Sequence, residues 1–212
     1  MWKHLWQRLW RRLSRTASSR RATWEKRWAQ VDPMSWNLEA VSRNYVDAWE
    51  RGWIRPGDRG LDLGCGLGHS AAWLAEKGVS VLAVDFAQVA IDKARTLHRT
   101  TLPLEFRQLD VTEPGDQLGQ FDVILDRGCL HGMSSRAGYY RNLNLWLKTG
   151  GRFLLQHHLK KYSIQSLRQE LLGSLPPSCN LISEKSIEMI ENSNSTSVPG
   201  VFLVIQKSDV SS

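Results

Sequence analysis

Paired cysteines are missing from this sequence. Its three cysteines, Cys65, Cys129 and Cys179, are odd in number and far apart, and no Cys-x-x-Cys or paired His/Cys spacing accompanies them. This argues against a disulfide framework and a zinc site, and it suits a reducing compartment. The adjacent His157 and His158 would point to opposite faces of a strand, so we expect no metal there or elsewhere.

Long apolar runs are absent as well. No stretch approaches the ~18 residues that a membrane-spanning helix needs. The 212 residues, 42% of them hydrophobic, fit one domain with an extension. We place a basic amphipathic extension at residues 1–22 and the domain at residues 23–212, with no repeat and no inserted substrate domain.

Acidic residues are lacking from the front of the chain. Residues 1–23 hold seven lysines and arginines and no acid, so this segment accounts for the whole net charge of +7. A high pI normally suggests nucleic acid. Because the charge here belongs to the extension and the rest is balanced, we expect no nucleic-acid partner for the domain.

The basic extension has an apolar face. At about 100° per residue its apolar side chains share one arc and its basic side chains cover the other. The apolar arc comprises Trp2, Leu5, Trp6, Leu9, Trp10 and Leu13. Residues 1–15 therefore predict a helix on an anionic membrane surface, in a cytoplasmic protein. An organellar transit peptide, docking on protein, and nucleic-acid binding by this helix are the alternatives.

A glycine-rich turn follows the first apolar strand of the domain. Residues 61–68 read Leu-Asp-Leu-Gly-Cys-Gly-Leu-Gly, and residues 69–77 follow as a helix closed by Gly78. Glycine lets the backbone turn tightly and approach a ligand, which the N–H groups of the helix N-terminus also face. Asp85 ends the next strand, 21 residues after Gly64, where an acid meets ribose hydroxyls. The pattern predicts a nucleoside site.

The spacing of the glycines separates two kinds of ligand. A dinucleotide site needs Gly-x-Gly-x-x-Gly, but His69 stands at its last position and the third glycine is Gly68. Gly-x-Gly-x-Gly preceded by Asp62 resembles motif I of the class I S-adenosylmethionine-dependent methyltransferases. The resemblance continues through later landmarks of that family, at Asp85-Phe86, Leu109-Asp110-Val111, residues 121–126 and residues 147–155.

The resemblance implies a fold and a cofactor. The fold is an α/β, Rossmann-like sheet of seven strands in the order 3-2-1-4-5-7-6, with helices on both faces and an antiparallel last strand. The cofactor is S-adenosylmethionine, with Asp85 on the ribose, Phe86 against the adenine and Asp110 accepting from its amino group. The implied cofactor-binding residues are Trp36, Asp62, Gly64, Cys65, Gly66, Asp85, Phe86, Asp110, Val111 and Asp126.

Tryptophan is concentrated ahead of this motif, with eight of the ten residues placed there. Helices that pack their aromatic side chains on the sheet explain most of them. The run Trp24-Glu25-Lys26-Arg27-Trp28, followed by Ser35-Trp36, is similar to the entry segment of thiopurine methyltransferase-like enzymes. In that family the segment covers the cofactor and forms part of the acceptor pocket. We therefore predict that Trp36 is a lid residue, with plain core packing as the alternative.

The acceptor side is predicted at residues 126–132, Asp-Arg-Gly-Cys-Leu-His-Gly, because ligands bind where the strands of an open α/β sheet end. The segment lacks the Asn/Asp-Pro-Pro-Tyr/Phe turn of many nucleic-acid and protein methyltransferases, and it resembles the thiopurine and thiol group. His131 is the candidate base, with helix capping as its alternative. Asp126 is the second candidate catalytic residue, in a role that orients the cofactor side or the loop.

We therefore expect methyl transfer from S-adenosylmethionine to a small-molecule acceptor. A thiol or another soft nucleophile is compatible with the site, since a thiol with a pKa of about 8.5 ionises without much help. Two alternatives stay open. The glycine spacing disfavours a nicotinamide-dependent oxidoreductase, and the intact acidic and glycine residues disfavour a membrane-attached protein that has lost catalysis.

Overall fold

The computed structural model describes residues 20–30, 41–99, 101–190 and 197–209. Residues 20–30 are helical and form α1. The other helices are α2 (Arg43–Glu50), α3 (His69–Glu76), α4 (Gln88–Leu97), α5 (Ala137–Trp146) and α6 (Ile164–Ser174). The strands are β1 (Arg59–Leu63), β2 (Ser80–Asp85), β3 (Leu104–Gln108), β4 (Phe121–Arg127), β5 (Leu147–His158), β6 (Cys179–Ile190) and β7 (Ser197–Lys207). The predicted amphipathic helix at residues 1–15 and the predicted lid residue Trp36 lie outside the described residues.

The strands form one sheet in the order β3-β2-β1-β4-β5-β7-β6. The first five of these strands are parallel, and β7 runs antiparallel between β5 and β6. The predicted fold class and strand order are therefore confirmed. Because both faces of a parallel sheet are covered, its strands are apolar without alternation, as in the buried run from Val81 to Val84.

Helices cover both faces of this sheet. On one face α5 and α6 bury Trp146 and Leu167 against the strands. On the other face α2, α3 and α4 bury Tyr45, Leu74 and Ile91. The carboxyl ends of β1 to β5 consequently lie at a single edge between two helical layers, which is where an open α/β sheet binds its ligands.

The ends of the helices follow local signals in the sequence. Gly68 precedes α3 with a φ of 76°, a left-handed conformation that side chains disfavour. Ser163 caps α6 by accepting from the backbone N–H of Ser166. The chain makes a 3-10 turn at Leu130–Gly132 before α5 begins at Ala137.

Candidate active site

The glycine-rich turn between β1 and α3 needs glycine for two reasons. Gly64, Gly66 and Gly68 all have positive φ, at 66°, 54° and 76°. A Cβ at each would also lie within 3 Å of a neighbouring side chain, at 2.8 Å from Cys129, 2.8 Å from Trp28 and 2.3 Å from Phe106, respectively. The sequence predicts close approach of a ligand here. The structure shows that protein side chains are the immediate neighbours of the turn.

Asp85 connects this turn to the start of α4. Its Oδ2 accepts a hydrogen bond from the Gly66 backbone N–H at 3.1 Å, and its Oδ1 accepts from Ala87 N–H at 2.9 Å. The side chain is buried, and burial raises its pKa to about 6. Each oxygen of a carboxylate has a further lone pair. Asp85 is therefore held rigidly where the sequence places a ribose contact.

Two more buried carboxyl groups lie at this edge. Burial, and then the charges of Asp126 and Asp85, raise the pKa of Asp62 to about 7. Asp126 accepts from the backbone N–H groups of Cys129 (2.8 Å) and Leu130 (3.0 Å) and from the Tyr139 hydroxyl (2.6 Å). Burial raises the pKa of Asp126 to about 6. With these three donors, Asp126 fixes the path of the loop that carries His131.

The remaining predicted cofactor residues lie beside Asp85. Asp110 Oδ1 accepts from the backbone N–H and the hydroxyl of Thr112, at 3.0 and 2.7 Å. Val111 is buried, and Phe86 packs against the apolar cluster around Trp28. Burial raises the pKa of the Cys65 thiol well above its ordinary value, so this side chain is no thiolate. Their roles in binding stay predictions.

Sequence reasoning missed how α1 attaches to this site. The Glu25 carboxylate accepts from the backbone N–H groups of Gln88 (2.8 Å) and Val89 (3.0 Å) at the start of α4. Lys93 donates to the Trp28 carbonyl at 2.6 Å, and the Trp28 indole, 7% exposed, packs over the glycine turn. The aromatic pattern identifies the segment, but no local signal shows that Glu25 caps a helix 63 residues away.

His131 belongs to a cluster that sequence reasoning also missed. Its ring stacks on His158 with centroids 3.9 Å apart and meets His157 edge to face at 5.5 Å. Neighbours on a strand are expected to point apart, yet both contact His131 at the end of β5. Burial, followed by the nearby His158, His157 and Arg136, lowers the pKa of His131 to about 3. His131 is thus neutral at pH 7 and a weak base, and its catalytic role stays a prediction.

Arg136 lies on the far side of the same cluster. Its Nη1 donates to both oxygens of Glu170 at 3.0 Å, and the Tyr140 hydroxyl donates to Glu170 at 2.9 Å. The guanidinium covers the Tyr162 ring at 4.8 Å, and that ring contacts His157 at 5.4 Å. Within the ranges that the structure describes, no three His, Cys, Asp or Glu side chains are arranged to hold a metal ion.

Known proteins resemble this chain in sequence. Residues 61–153 match the model of a family described as a methyltransferase domain. Among curated proteins, the chain is 30% identical over 112 residues to phosphoethanolamine N-methyltransferase 1 of Arabidopsis thaliana and 28% identical over 133 residues to the ubiquinone biosynthesis O-methyltransferase of Acinetobacter baumannii. These alignments cover 50% and 61% of this chain. The chain spans only 22% and 55% of the lengths of those two relatives.

A solved structure supports the fold. A S-adenosylmethionine-dependent methyltransferase from Methanosarcina mazei superposes with a TM-score of 0.64 at 16% identity, covering 76% of this chain and 97% of that one. At this identity the likeness concerns the fold alone. The fold is that of S-adenosylmethionine-dependent methyltransferases, and the match to a methyltransferase domain agrees with the expected cofactor.

Proposed function

We propose that the protein transfers a methyl group from S-adenosylmethionine to a small-molecule acceptor. The observation that carries the proposal is the position of Asp85, which is buried at the carboxyl end of β2 and bound to the glycine turn through Gly66 N–H. An acid in this place beside a left-handed glycine turn suits a nucleoside ligand. The match of residues 61–153 to a methyltransferase domain supports the same reaction.

The residues present fit the cofactor. Asp85 would hold the ribose, Asp110 and Phe86 the adenine, and Gly64, Gly66 and Cys65 the remainder along the turn. When bound, S-adenosylmethionine supplies a methyl group on a positively charged sulfonium. The three buried carboxyl groups at the ends of β1, β2 and β4 favour that charge. The His131 imidazole on the acceptor side is neutral and does not repel it.

Positioning is the main task that this leaves to the protein. Holding two reactants in line supplies much of the acceleration of a bimolecular transfer. Asp126 fixes the loop that ends in His131, and the histidine cluster forms a wall next to it. A group with a pKa far below neutrality accepts hydrogen bonds but takes up protons poorly. His131 therefore orients the acceptor, and a nucleophile that ionises easily, such as a thiol, suits the site best.

A second acceptor class follows from the relatives. Their names report methylation of phosphoethanolamine nitrogen and of an oxygen in ubiquinone biosynthesis. Nitrogen and oxygen acceptors therefore belong in any screen beside thiols. The oxidoreductase alternative gains no support from a methyltransferase-domain match over the nucleoside site.

The proposal is tested in two stages. Titration calorimetry compares S-adenosylmethionine, S-adenosylhomocysteine and a nicotinamide dinucleotide, and we expect binding of the first two alone. Radiolabelled donor then reports transfer to a panel of thiols, amines, phenols and halides. Tighter binding of the dinucleotide would contradict the cofactor assignment. Binding of the donor with no transfer to any acceptor would favour the inactive alternative.

We also propose that residues 1–15 attach the protein to an anionic membrane surface. Their tryptophan and leucine arc and their arginine arc support this, and each basic residue near such a surface adds about 1 kcal/mol. No helix within the described residues has the length and apolarity to span a bilayer. Residues 20–22 continue into the helix that carries Trp24 and Trp28, so a truncation should end at residue 19.

Liposome co-sedimentation tests this attachment. The full chain should bind vesicles rich in phosphatidylserine at low salt and release them in 1 M salt, where the Debye length falls to about 3 Å. The chain lacking residues 1–19 should stay in the supernatant while it binds S-adenosylhomocysteine normally. A full chain that ignores the vesicles would leave docking or a transit peptide as the reading of the segment.

A further inference from the structure

Buried nitrogens without a partner gather at the carboxyl ends of β4 and β5. Buried polar atoms find a hydrogen bond in about nine cases of ten. Among the described residues, four buried side-chain nitrogens at this place have no hydrogen-bond partner: His131 Nδ1, Arg136 Nη2, His157 Nε2 and His158 Nδ1. A polar ligand bound at this place would supply the missing partners.

This group is contiguous with the cofactor side. Gly64 packs on Cys129, and a Cβ on Gly128 would lie 2.8 Å from the His131 ring. His131 in turn stacks on His158. The glycine turn, the loop after β4 and the histidine cluster therefore follow one another without a break.

His157 requires a hydrogen-bond donor. Its Nδ1 lies 2.6 Å from the His158 carbonyl, which can only accept, so Nδ1 carries the proton. The neutral ring then presents a bare lone pair at Nε2. The side chain is fully buried, and burial lowers its pKa to about 4, so the lone pair persists at neutral pH.

Arg136 requires a hydrogen-bond acceptor. Its guanidinium has donors alone, and Glu170 occupies Nη1. Its side chain is 8% exposed, and Nη2 is buried with no acceptor. His157 and Arg136 both contact the Tyr162 ring, which places the two side chains in the same cluster.

We propose that Arg136 and the three histidines form the acceptor-binding subsite, and that it selects a polar acceptor with a hydrogen-bond donor and an oxyanion. The donor, which is the nucleophilic S–H, N–H or O–H, bonds to His157 Nε2. The oxyanion, a carboxylate or a phosphate, accepts from Arg136 Nη2. The inference rests on the proposed methyl transfer, and it disfavours apolar acceptors because they would leave both nitrogens unpaired.

Matched pairs of acceptors test the selection in the full chain. We compare 3-mercaptopropionate with 1-propanethiol, and phosphoethanolamine with ethylamine, and we measure kcat and KM from S-adenosylhomocysteine release. In at least one pair the charged member should have a kcat/KM at least tenfold higher. The thiol pair probes a carboxylate and the amine pair a phosphate. Equal values within both pairs, or no transfer to either charged probe, would overturn the proposal.

Variants separate selection from a structural role. Arg136→Met should abolish the preference by raising KM for the charged acceptor much more than KM for the neutral one. Arg136→Lys should keep part of the preference, and it replaces the methionine variant if that one fails to melt cooperatively. His157→Gln should weaken both members of a pair equally. The control is Arg168→Met, which removes an exposed arginine paired with Glu184.

Glu170→Gln adds a test with the opposite sign. Removing the carboxylate that pairs with Arg136 leaves a stronger positive charge for the acceptor, so KM for the charged member should fall. A purely structural arginine would instead give a lower melting temperature and an unchanged preference, which would contradict the proposal. Calorimetry with S-adenosylhomocysteine accompanies each variant. If the wild-type protein does not bind S-adenosylhomocysteine, the proposed function itself is refuted. If it binds but does not prefer charged acceptors, only the subsite is refuted.

Discussion

The cofactor side and the acceptor side of this edge satisfy their polar groups differently. On the cofactor side, Asp85 and Asp110 accept hydrogen bonds from the surrounding chain. On the acceptor side, His131, His157 and Arg136 have buried nitrogens with no partner among the described residues. The protein itself thus holds the acidic side chains of the proposed cofactor side, whereas we propose that a ligand pairs the polar atoms of the acceptor side. Each prediction below tests this contrast.

Gly66→Ala should have the largest effect on cofactor affinity, because it changes the glycine turn of the proposed cofactor side. A positive φ costs a residue with a side chain about 1–2 kcal/mol, and the new Cβ would also lie 2.8 Å from the Trp28 indole. We expect a loss of S-adenosylhomocysteine affinity of about a hundredfold by calorimetry. The control is Gly150→Ala, at a φ of 81° with open space around it, which should lower stability alone. Equal effects on affinity would mean that contact with Trp28 is irrelevant.

Asp85→Asn should cause the second largest loss of cofactor affinity. Hydrogen bonds to charged groups contribute about 1.5–3 kcal/mol, so losing the charge should weaken cofactor binding at least tenfold. Asp92→Asn, an exposed change on α4, is the matched control and should bind normally. Unchanged affinity in a folded Asp85→Asn protein would remove the central element of the cofactor side.

The stability of the ligand-free protein should depend moderately on pH. Burial raises the pKa values of Asp62 to about 7 and of Asp85 and Asp126 to about 6, above their unfolded values of about 3.9. The folded protein therefore binds more protons than the unfolded chain between about pH 4 and pH 7. Stability without ligand should decrease as pH rises through this window.

The affinity for a positively charged ligand should change with pH in the opposite direction. S-adenosylmethionine favours the ionised carboxylates, so its affinity should rise several-fold from pH 5.5 to pH 8. S-adenosylhomocysteine lacks the sulfonium and should gain less. Calorimetry in buffers of different ionisation enthalpy measures both affinities and the protons released, and Asp62→Asn should reduce the difference. Identical pH profiles for the two ligands would show that the carboxyl groups do not sense the charge.

Glu25→Gln should have the smallest effect. The amide keeps one acceptor for the two N–H groups at the start of α4 but loses the charge that the helix N-terminus favours, a loss of about 0.3–1 kcal/mol. We expect the dissociation rate of S-adenosylhomocysteine to rise about threefold in stopped-flow measurements. Glu105→Gln, on the exposed side of β3, is the control. No change in rate would mean that α1 stays docked without this contact.

The sequence could predict local features of both sides but not the contacts between distant parts of the chain. The alternation of strands and helices and the positions of Asp62, Asp85 and Asp110 depend on short-range patterns, in which a strand, a turn and a helix follow one another. The order of the strands in the sheet comes from the family resemblance that these patterns carry. The partners of Glu25 and the meeting of His131 with His157 and His158 join residues far apart in the chain. No periodicity or motif marks such contacts, so they become visible only once β4, β5 and α4 are packed.

The attachment of α1 determines when this helix can dock during synthesis of the chain. Glu25 bonds to Gln88 and Val89, which are 63 and 64 residues later in the chain, and Lys93 reaches back to Trp28. During synthesis from the N-terminus, α1 leaves the ribosome before its docking surface exists. Trp24 and Trp28 can pack on the domain only after β2 and α4 have emerged. A nascent chain that is stalled before residue 88 should therefore leave these indoles accessible, whereas one that is released after α4 has folded should cover them.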